Sequence, residues 1–317
     1  MARVLIVEDL WRPLPDWFQE QYEVSYDPAM YKDPTQIYQH KLTAKALIIR
    51  NQTQVDADFL DQLPQLQVIG RLGVGLDNVD LSACKERRID VISARGFNAN
   101  AVAEYVLAAM FERARFLRTC DARTKQGLWQ REQGVGSELS GKTLGLIGVG
   151  DIGQRVALRA RALAMDVLAC DPLLMDSHLL FQDGVAKLVE MEHLLRHSDF
   201  ISIHVPLLPT TRHLIATAQL DLMKDDVTLI NTARGGIVDE TALLNSLCQS
   251  PERFAVLDVR EQEPPLATSA LNGLTNVLLT PHIAGVTRES SRRVADFILR
   301  QVSQKLQGLP FQGGVGF

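Results

Sequence analysis

Short apolar runs rich in β-branched residues alternate with longer helical patterns almost from one end of this 317-residue chain to the other. That alternation constrains the fold more than any other feature, because a strand–helix–strand rhythm is satisfied by a parallel sheet covered on both faces by helices. The expected class is α/β. One series of strands is predicted at 4–7, 22–26, 46–49, 66–69 and 91–93, and a second at 143–147, 166–169, 200–203, 228–230, 254–257 and 277–279. Two series imply two doubly wound parallel-sheet domains, which suits a chain longer than a single hydrophobic core usually serves.

Between the two series Val102, Val106, Ala109, Met110, Phe116 and Leu117 recur at helical offsets, so one apolar stripe on one helix is expected, starting where Asn98 or Asn100 can cap. A second long helix is expected at about 288–307, with Val294, Phe297, Ile298 and Val302 on one side, before the glycine-rich tail Gly313-Gly314-Val315-Gly316. No strand follows it, so it is expected to cross back. The first domain then comprises 1–97 plus 288–317 and the second 98–287.

A net charge of -5 gives no global attraction to nucleic acid or anionic membranes, and no apolar run approaches the length of a membrane span. The opening Met1 to Val7 runs straight into Glu8 and Asp9, which reads as a first strand and not as a secretory leader. Cys84, Cys120, Cys170 and Cys248 lack C-x-x-C spacing, which points to reduced thiols in a cytoplasmic protein. His193 and His197 lie one helical turn apart, but Leu194 occupies the place of the H-E-x-x-H glutamate, so a solvated helix face is expected and no metal.

After the strand at 143–147 comes Gly148-Val149-Gly150-Asp151-Ile152-Gly153, a G-x-G-x-x-G loop that opens a helix. Gly148 makes the tight turn, Gly150 lets the backbone approach a pyrophosphate, and Gly153 packs helix on strand, while the helix N-terminus offers N–H groups to the anion. The next strand ends in Cys170-Asp171-Pro172, which puts Asp171 at about the 20-residue spacing of the ribose-binding acid. A carboxylate there accepts hydrogen bonds from both ribose hydroxyls and repels a 2′-phosphate, and no Arg or Lys follows before Lys187, so the expected cofactor is NAD.

Further landmarks are Gly70-Arg71-Leu72-Gly73-Val74-Gly75-Leu76-Asp77-Asn78-Val79-Asp80, Asn98 through Val102-Ala103-Glu104, His204-Val205-Pro206-Leu207, and Ile230-Asn231-Thr232-Ala233-Arg234-Gly235-Gly236. Leu257-Asp258-Val259, Glu263-Pro264 and Pro281-His282-Ile283-Ala284-Gly285 complete the series. In this order, over nearly the whole chain, they resemble the D-isomer-specific 2-hydroxyacid dehydrogenases, a group that includes phosphoglycerate, glycerate/hydroxypyruvate and formate dehydrogenases. The resemblance implies a flavodoxin-like substrate domain, a Rossmann NAD domain and a cleft between them, in a homodimeric enzyme. It assigns Arg234, Glu263 and His282 as the catalytic set.

Chemistry explains why those types are required. A 2-oxo acid carries a carboxylate and a C2 oxygen that becomes an alkoxide as hydride arrives, and a fork-shaped, permanently charged Arg234 suits both. His282 would give the proton in reduction and take it in oxidation, with Glu263 orienting the ring and stabilising its cation. Each has a plainer reading taken singly: Arg234 as a surface cation, Glu263 as a solvated acid before Pro264, His282 as a core histidine. All three follow strands of one sheet at the carboxyl ends, where open α/β sheets bind ligands, and that shared placement favours a site.

The resemblance extends the cofactor set to Asp151, Ile152, Val102, His204, Val205, Pro206, Thr210, Thr232, Ala233, Asp258 and Gly285. It gives Val74 and Gly75 to the substrate carboxylate, as backbone donors of a glycine-rich turn. Arg50 and Asn51, just past the strand at 46–49, are placed to meet a second anionic group at C3 or else form a solvated strand end. Sulfolactate dehydrogenases carry a similar Arg-Asn-x-Thr-Gln run, so 3-phosphoglycerate, glycerate/hydroxypyruvate and 3-sulfolactate stand together as candidate substrates. Trp129 matches an arm that packs across the family's dimer. Arg260 departs from the pattern, since members usually carry an aromatic or apolar residue there, and the regulatory C-terminal extension of some phosphoglycerate dehydrogenases is not expected. The competing function is an NAD-sensing binding protein like the corepressors built on this fold, which keep the same triad.

Overall fold

A computed structural model describes residues 1–175 and 178–315 of the chain. Gly316 and Phe317, the end of the expected glycine-rich tail, lie outside the described residues. The chain divides into two compact units, Met1–Asn98 with Val286–Phe317, and Ala99–Gly285.

The first unit holds β1 (Arg3–Ile6), β2 (Glu23–Tyr26), β3 (Ala44–Ile49), β4 (Val68–Arg71) and β5 (Asp90–Ser93), all parallel, in the order β2-β1-β3-β4-β5. The central strands are buried on both faces: Val4, Leu5, Ile6, Leu47, Ile48, Ile49 and Ile69 are fully enclosed, which is why these runs are continuously apolar and not alternating. One face is closed by the helix Arg288–Leu306, whose Val294, Ile298, Leu299 and Val302 join Val4, Ile48 and Val68 in one cluster. Each such side chain contributes about 1.5–3 kcal/mol of burial. The helix lies so near β4 that a Cβ on Gly70 would stand 2.6 Å from Ile298 and 2.8 Å from Val302.

The second unit holds β6 (Thr143–Ile147), β7 (Asp166–Cys170), β8 (Lys187–Leu188), β9 (Phe200–Ile203), β10 (Thr228–Asn231), β11 (Phe254–Leu257) and β12 (Val277–Leu279). They form a seven-stranded parallel sheet in the order β12-β11-β10-β9-β6-β7-β8. The chain leaves β6 toward β8 on one side and returns at β9 on the other, so β6 and β9 flank the switch point where such sheets bind ligands. The two-residue β8 was not anticipated; a pair of residues carries no periodicity to read.

One expectation is corrected. The stripe from Val102 to Leu117 does not lie on a single helix: Ala99–Arg115 ends, Phe116 turns left-handed at φ 52°, and a separate helix, Leu117–Lys125, begins. The carbonyl of Ala114 is taken by the Ser137 N–H at 2.9 Å instead of by a further helical turn. Val102, Val106, Ala109 and Met110 are buried as expected, but Leu117 is 60% exposed, because the break rotates it off the stripe.

Candidate active site

The pairing of the second sheet sets the site. Cys170, Ile147, Ile203, Asn231, Leu257 and Leu279 form one row of register partners across β7, β6, β9, β10, β11 and β12. The next residue on each strand therefore emerges at the same edge: Asp171, Gly148, His204, Thr232, Asp258 and Thr280. Five of the six belong to the expected cofactor set.

At the switch point Gly148 turns at φ 90°, and a Cβ there would stand 2.8 Å from the His204 carbonyl, so only glycine closes this corner. Gly150 precedes the helix Asp151–Ala162 and has open space where a side chain would project. A Cβ on Gly153 would run into the Gly148 carbonyl. Asp171 is tied to the loop: Oδ2 accepts the Val149 N–H at 2.8 Å and Oδ1 the Leu173 N–H at 3.0 Å. Burial pushes the His204 imidazole down to about 4, so it is neutral, 3.0 Å from the Ser202 hydroxyl. Thr232 Oγ1 is buried with no hydrogen-bond partner among the described residues. Val102 is buried in its helix, whereas Pro206 and Thr210 lie exposed on the loop after β9.

Arg234, Glu263 and His282 all lie in the second unit, on the segments that follow β10, β11 and β12. Asn231 braces the first of these, accepting the Ala233 N–H on Oδ1 at 3.0 Å and donating from Nδ2 to the Arg234 carbonyl at 2.8 Å. The Glu263 Oε2 and His282 Nδ1 are 2.7 Å apart, and both side chains are about one-third exposed. Burial alone would raise the Glu263 carboxyl; the His282 hydrogen bond and charge, the Arg260 N–H and the Arg234 charge outweigh it and hold it below its ordinary value.

His282 itself has φ 56°, a left-handed backbone that a histidine adopts at a cost of about 1–2 kcal/mol. The turn is compensated at Asp258, which is 1% exposed. Its carbonyl accepts the His282 N–H at 2.8 Å, Oδ1 accepts the Ile283 N–H at 2.7 Å and the Thr280 hydroxyl at 2.6 Å, and Oδ2 accepts the Ala284 N–H at 2.8 Å. Tyr105 closes the chain 2.5 Å from Thr280 Oγ1. This buried acid therefore builds the His282 turn, a task that its place after a strand did not reveal.

In the first unit Arg50 follows β3 with its guanidinium 3.5 Å over the Trp11 ring; Nε donates to the Asp9 carbonyl at 3.0 Å and Nη1 to the Leu72 carbonyl at 3.3 Å. Burial lowers it to about 10, with Glu8, Asp9 and Tyr26 opposing, so it remains a cation. Its Nη2 is buried without a partner among the described residues. Asn51 is exposed, and Val74 and Gly75 are half-buried in the turn after β4. Glu8 was overlooked at the sequence level: its carboxylate accepts the N–H groups of Arg50, Gln52 and Thr53 at 2.9, 3.1 and 3.0 Å and so shapes the Arg50 loop. An acid directly after an apolar strand, at a sheet's carboxyl edge, was the available signal.

Comparison with known proteins decides the family. The model for the D-isomer specific 2-hydroxyacid dehydrogenase NAD-binding domain matches residues 107–284. The (S)-sulfolactate dehydrogenase of Chromohalobacter salexigens is 41% identical over 306 residues, covering 96% of this chain and 99% of that protein. The chain belongs to the D-isomer specific 2-hydroxyacid dehydrogenase family.

The D-3-phosphoglycerate dehydrogenase of Archaeoglobus fulgidus is 39% identical over 99% of this chain, which spans 59% of that protein's length. Among solved structures, the TT0316 protein of Thermus thermophilus superposes with a TM-score of 0.88 at 31% identity, covering 99% of this chain and all of that one. As a member of the family the chain is an NAD-dependent oxidoreductase that interconverts a 2-hydroxy acid and its 2-oxo acid. The open face at Gly150, the helix that starts behind it and the Asp171 carboxylate fit that cofactor. Among the described residues no group of three or more His, Cys, Asp or Glu is arranged to hold a metal, and no helix is long and apolar enough to cross a membrane.

Proposed function

We propose that this dehydrogenase acts on a small D-2-hydroxy acid, and the matching 2-oxo acid, bearing a polar or anionic group at C3, with Arg234, Glu263 and His282 as its catalytic set. The observation that carries the assignment is the 2.7 Å pairing of Glu263 with His282 Nδ1 on a histidine whose strained backbone is held from Asp258. Strain kept in place by a dedicated buried acid favours an active residue over an ordinary core histidine. With Nδ1 committed to Glu263, the ring presents Nε2 to the substrate.

Bound NADH supplies the hydride. Arg234 holds the substrate carboxylate and polarises the C2 oxygen, and His282 delivers its proton to that oxygen as negative charge develops there. Glu263 stabilises the imidazolium beforehand and fixes the plane of the ring. In the oxidising direction His282 takes the hydroxyl proton instead. Gly148, Gly150, Asp151, Ile152, Gly153 and Asp171 hold the dinucleotide, joined by Val102, His204, Val205, Pro206, Thr210, Thr232, Ala233, Asp258 and Gly285. The buried, unpartnered Thr232 hydroxyl supports that set.

In the first unit, which is the substrate domain on this reading, Val74 and Gly75 offer backbone N–H groups to the carboxylate, and Arg50 with Asn51 meets the C3 anion. A buried guanidinium with one uncommitted nitrogen is costly unless an anion completes it, which favours a doubly charged substrate over pyruvate or glyoxylate. 3-Sulfolactate, 3-phosphoglycerate and, with a neutral C3 hydroxyl, glycerate are the candidates. The enzyme works as a cytoplasmic homodimer: the helix Leu117–Lys125 buries none of its residues, and Leu117, Leu128, Trp129 and Val135 on this arm are exposed, an apolar surface that a second copy would cover.

The deciding experiment follows NADH consumption with 3-sulfopyruvate, hydroxypyruvate 3-phosphate, hydroxypyruvate, glyoxylate and pyruvate. A preference of at least about tenfold in kcat/KM for the doubly anionic acids is expected, corresponding to about 1.4 kcal/mol. Equal rates across the panel remove Arg50 from the site, and only slow turnover with every acid returns the reading to a dinucleotide-sensing module.

A further inference from the structure

Arg260 is a position at which this chain leaves its family's pattern, and it is firmly anchored beside the proposed catalytic set. Its side chain is 7% exposed, with Nε and Nη2 donating to the two carboxylate oxygens of Glu240 at 3.0 and 2.8 Å, and Nη2 also to the Ser269 hydroxyl at 2.9 Å. We infer that Arg260 is a positioning residue: clamped to Glu240, its main chain sets the Glu263 carboxylate against His282 and the backbone beside Arg234. The inference rests on the reading of Glu263 and His282 as the acid–base pair.

The scaffold leaves a gap before Glu263. β11 ends at Leu257, and Glu263 stands six residues beyond it on a segment without regular structure. Something outside the sheet must fix that segment. Glu240 is the first residue of the helix Glu240–Gln249, where the helix N-terminus favours an acid, and its Oε1 also accepts the Glu261 N–H at 2.7 Å. Both the Arg260 fork and the following peptide are thus moored to one helix end.

From that mooring the Arg260 main chain reaches both catalytic loops. Its N–H donates to Glu263 Oε1 at 3.0 Å, leaving Oε2 for His282. Its carbonyl lies directly against Gly235, where a Cβ would overlap both the carbonyl and the Glu261 nitrogen. A bidentate guanidinium fixes distance and plane together, which an apolar or aromatic side chain at 260 cannot do, and such a side chain would leave Glu240 without a counter-charge in a half-enclosed place.

The charged groups facing Glu263 are His282 and Arg234; around the clamp they are Glu240, Glu261 and, 3.2 Å from Glu261, His213. The test compares Arg260→Met, Arg260→Lys, Glu240→Gln and His282→Ala as full-length enzymes. Arg260→Met is expected to lower kcat about ten- to hundredfold, the scale of a misplaced catalytic group, with KM for NADH changed less than about threefold. The acid limb of its kcat profile should move to higher pH, since Glu263 loses an amide donor. Arg260→Lys should recover only part of kcat, since it returns a counter-charge to Glu240 without the bidentate fork. A Met variant with lower thermal stability but unchanged kcat and pH profile overturns the inference, because the clamp would then only stabilise the fold. If Arg260→Met does not fold, Glu240→Gln must show the same loss and the same pH movement at smaller size, and its failure to do so overturns the inference equally. His282→Ala separates the two levels: near wild-type turnover in that variant refutes the acid–base reading itself, whereas an inactive His282→Ala beside an unaffected Arg260→Met refutes only the role of Arg260.

Discussion

Asp258 holds His282 by the backbone and not by the ring: its carbonyl takes the His282 N–H at 2.8 Å while its carboxylate takes the N–H groups of Ile283 and Ala284 at 2.7 and 2.8 Å. The imidazole is left to Glu263. Two acids thus divide the work, one setting the turn and the other the ring.

Asp258→Asn turns one carboxylate oxygen into a donor facing other donors. Each orphaned buried amide costs about 1–3 kcal/mol, so a clear fall in melting temperature is expected together with a loss of kcat of about tenfold or more. Calorimetry and steady-state rates on the same preparation check both. A variant that loses stability while keeping full kcat would show that the left-handed turn is dispensable for the chemistry.

His282→Ala should reduce kcat by about a hundredfold to ten-thousandfold, the range typical of a lost general acid, and Glu263→Gln by less, since the imidazole remains. Because the ring does not hold the dinucleotide in this scheme, NADH affinity measured by fluorescence titration should stay near the wild-type value in both.

The depressed Glu263 carboxyl has a stability signature of definite sign. In the unfolded chain this acid takes up a proton at the ordinary glutamate pKa of about 4.3, and in the folded protein it does so only at lower pH. Its contribution is therefore fully present above about pH 4.3 and fades as the pH falls through the folded value. Denaturant unfolding of the wild type and Glu263→Gln, repeated from neutral pH downward, should show a constant difference that shrinks only in that acid window. A difference that instead grew on acidification would contradict the pairing.

On the proposed reading Asp171 selects the cofactor. The wild-type enzyme should favour NADH over NADPH by well over tenfold in kcat/KM, and Asp171→Asn should narrow the ratio by removing the charge that repels a 2′-phosphate. Since Asp171 also accepts the Val149 N–H, the variant should raise KM for NADH too. Equal use of both cofactors by the wild type would be the contrary result.

Trp129→Glu tests the arm. With the indole 80% exposed on the single chain, the substitution should leave the fold intact and shift the mass measured by light scattering from two chains toward one. An unchanged mass would place the dimer surface elsewhere.

The second sheet was legible almost residue by residue. Thr143–Ile147, Phe200–Ile203, Phe254–Leu257 and Val277–Leu279 begin and end where the apolar runs do, because buried parallel strands have to be apolar on both faces. Motifs with local mechanisms were equally readable: Gly148 and Asp171 need only the turn and strand that carry them. What escaped were relationships between segments. Arg260 stands out in the sequence, yet its partner Glu240 lies twenty residues upstream on a helix whose packing no pattern reveals. The break at Phe116 escaped because offsets counted along a helix are blind to a left-handed residue within them. The strained backbone of His282 left no mark in Pro281-His282-Ile283, since its compensation comes from Asp258.

The single register row from Cys170 to Leu279 carries an engineering consequence. Deleting one residue from β11 would retract its end by about 3.3 Å and turn its side chains to the opposite face, pulling Asp258 away from the His282 turn that hangs from the neighbouring strand. Strand length in this fold is therefore a catalytic dimension. Variation that spares activity should accumulate as insertions away from this edge, while the six strands that define the row keep their residue counts.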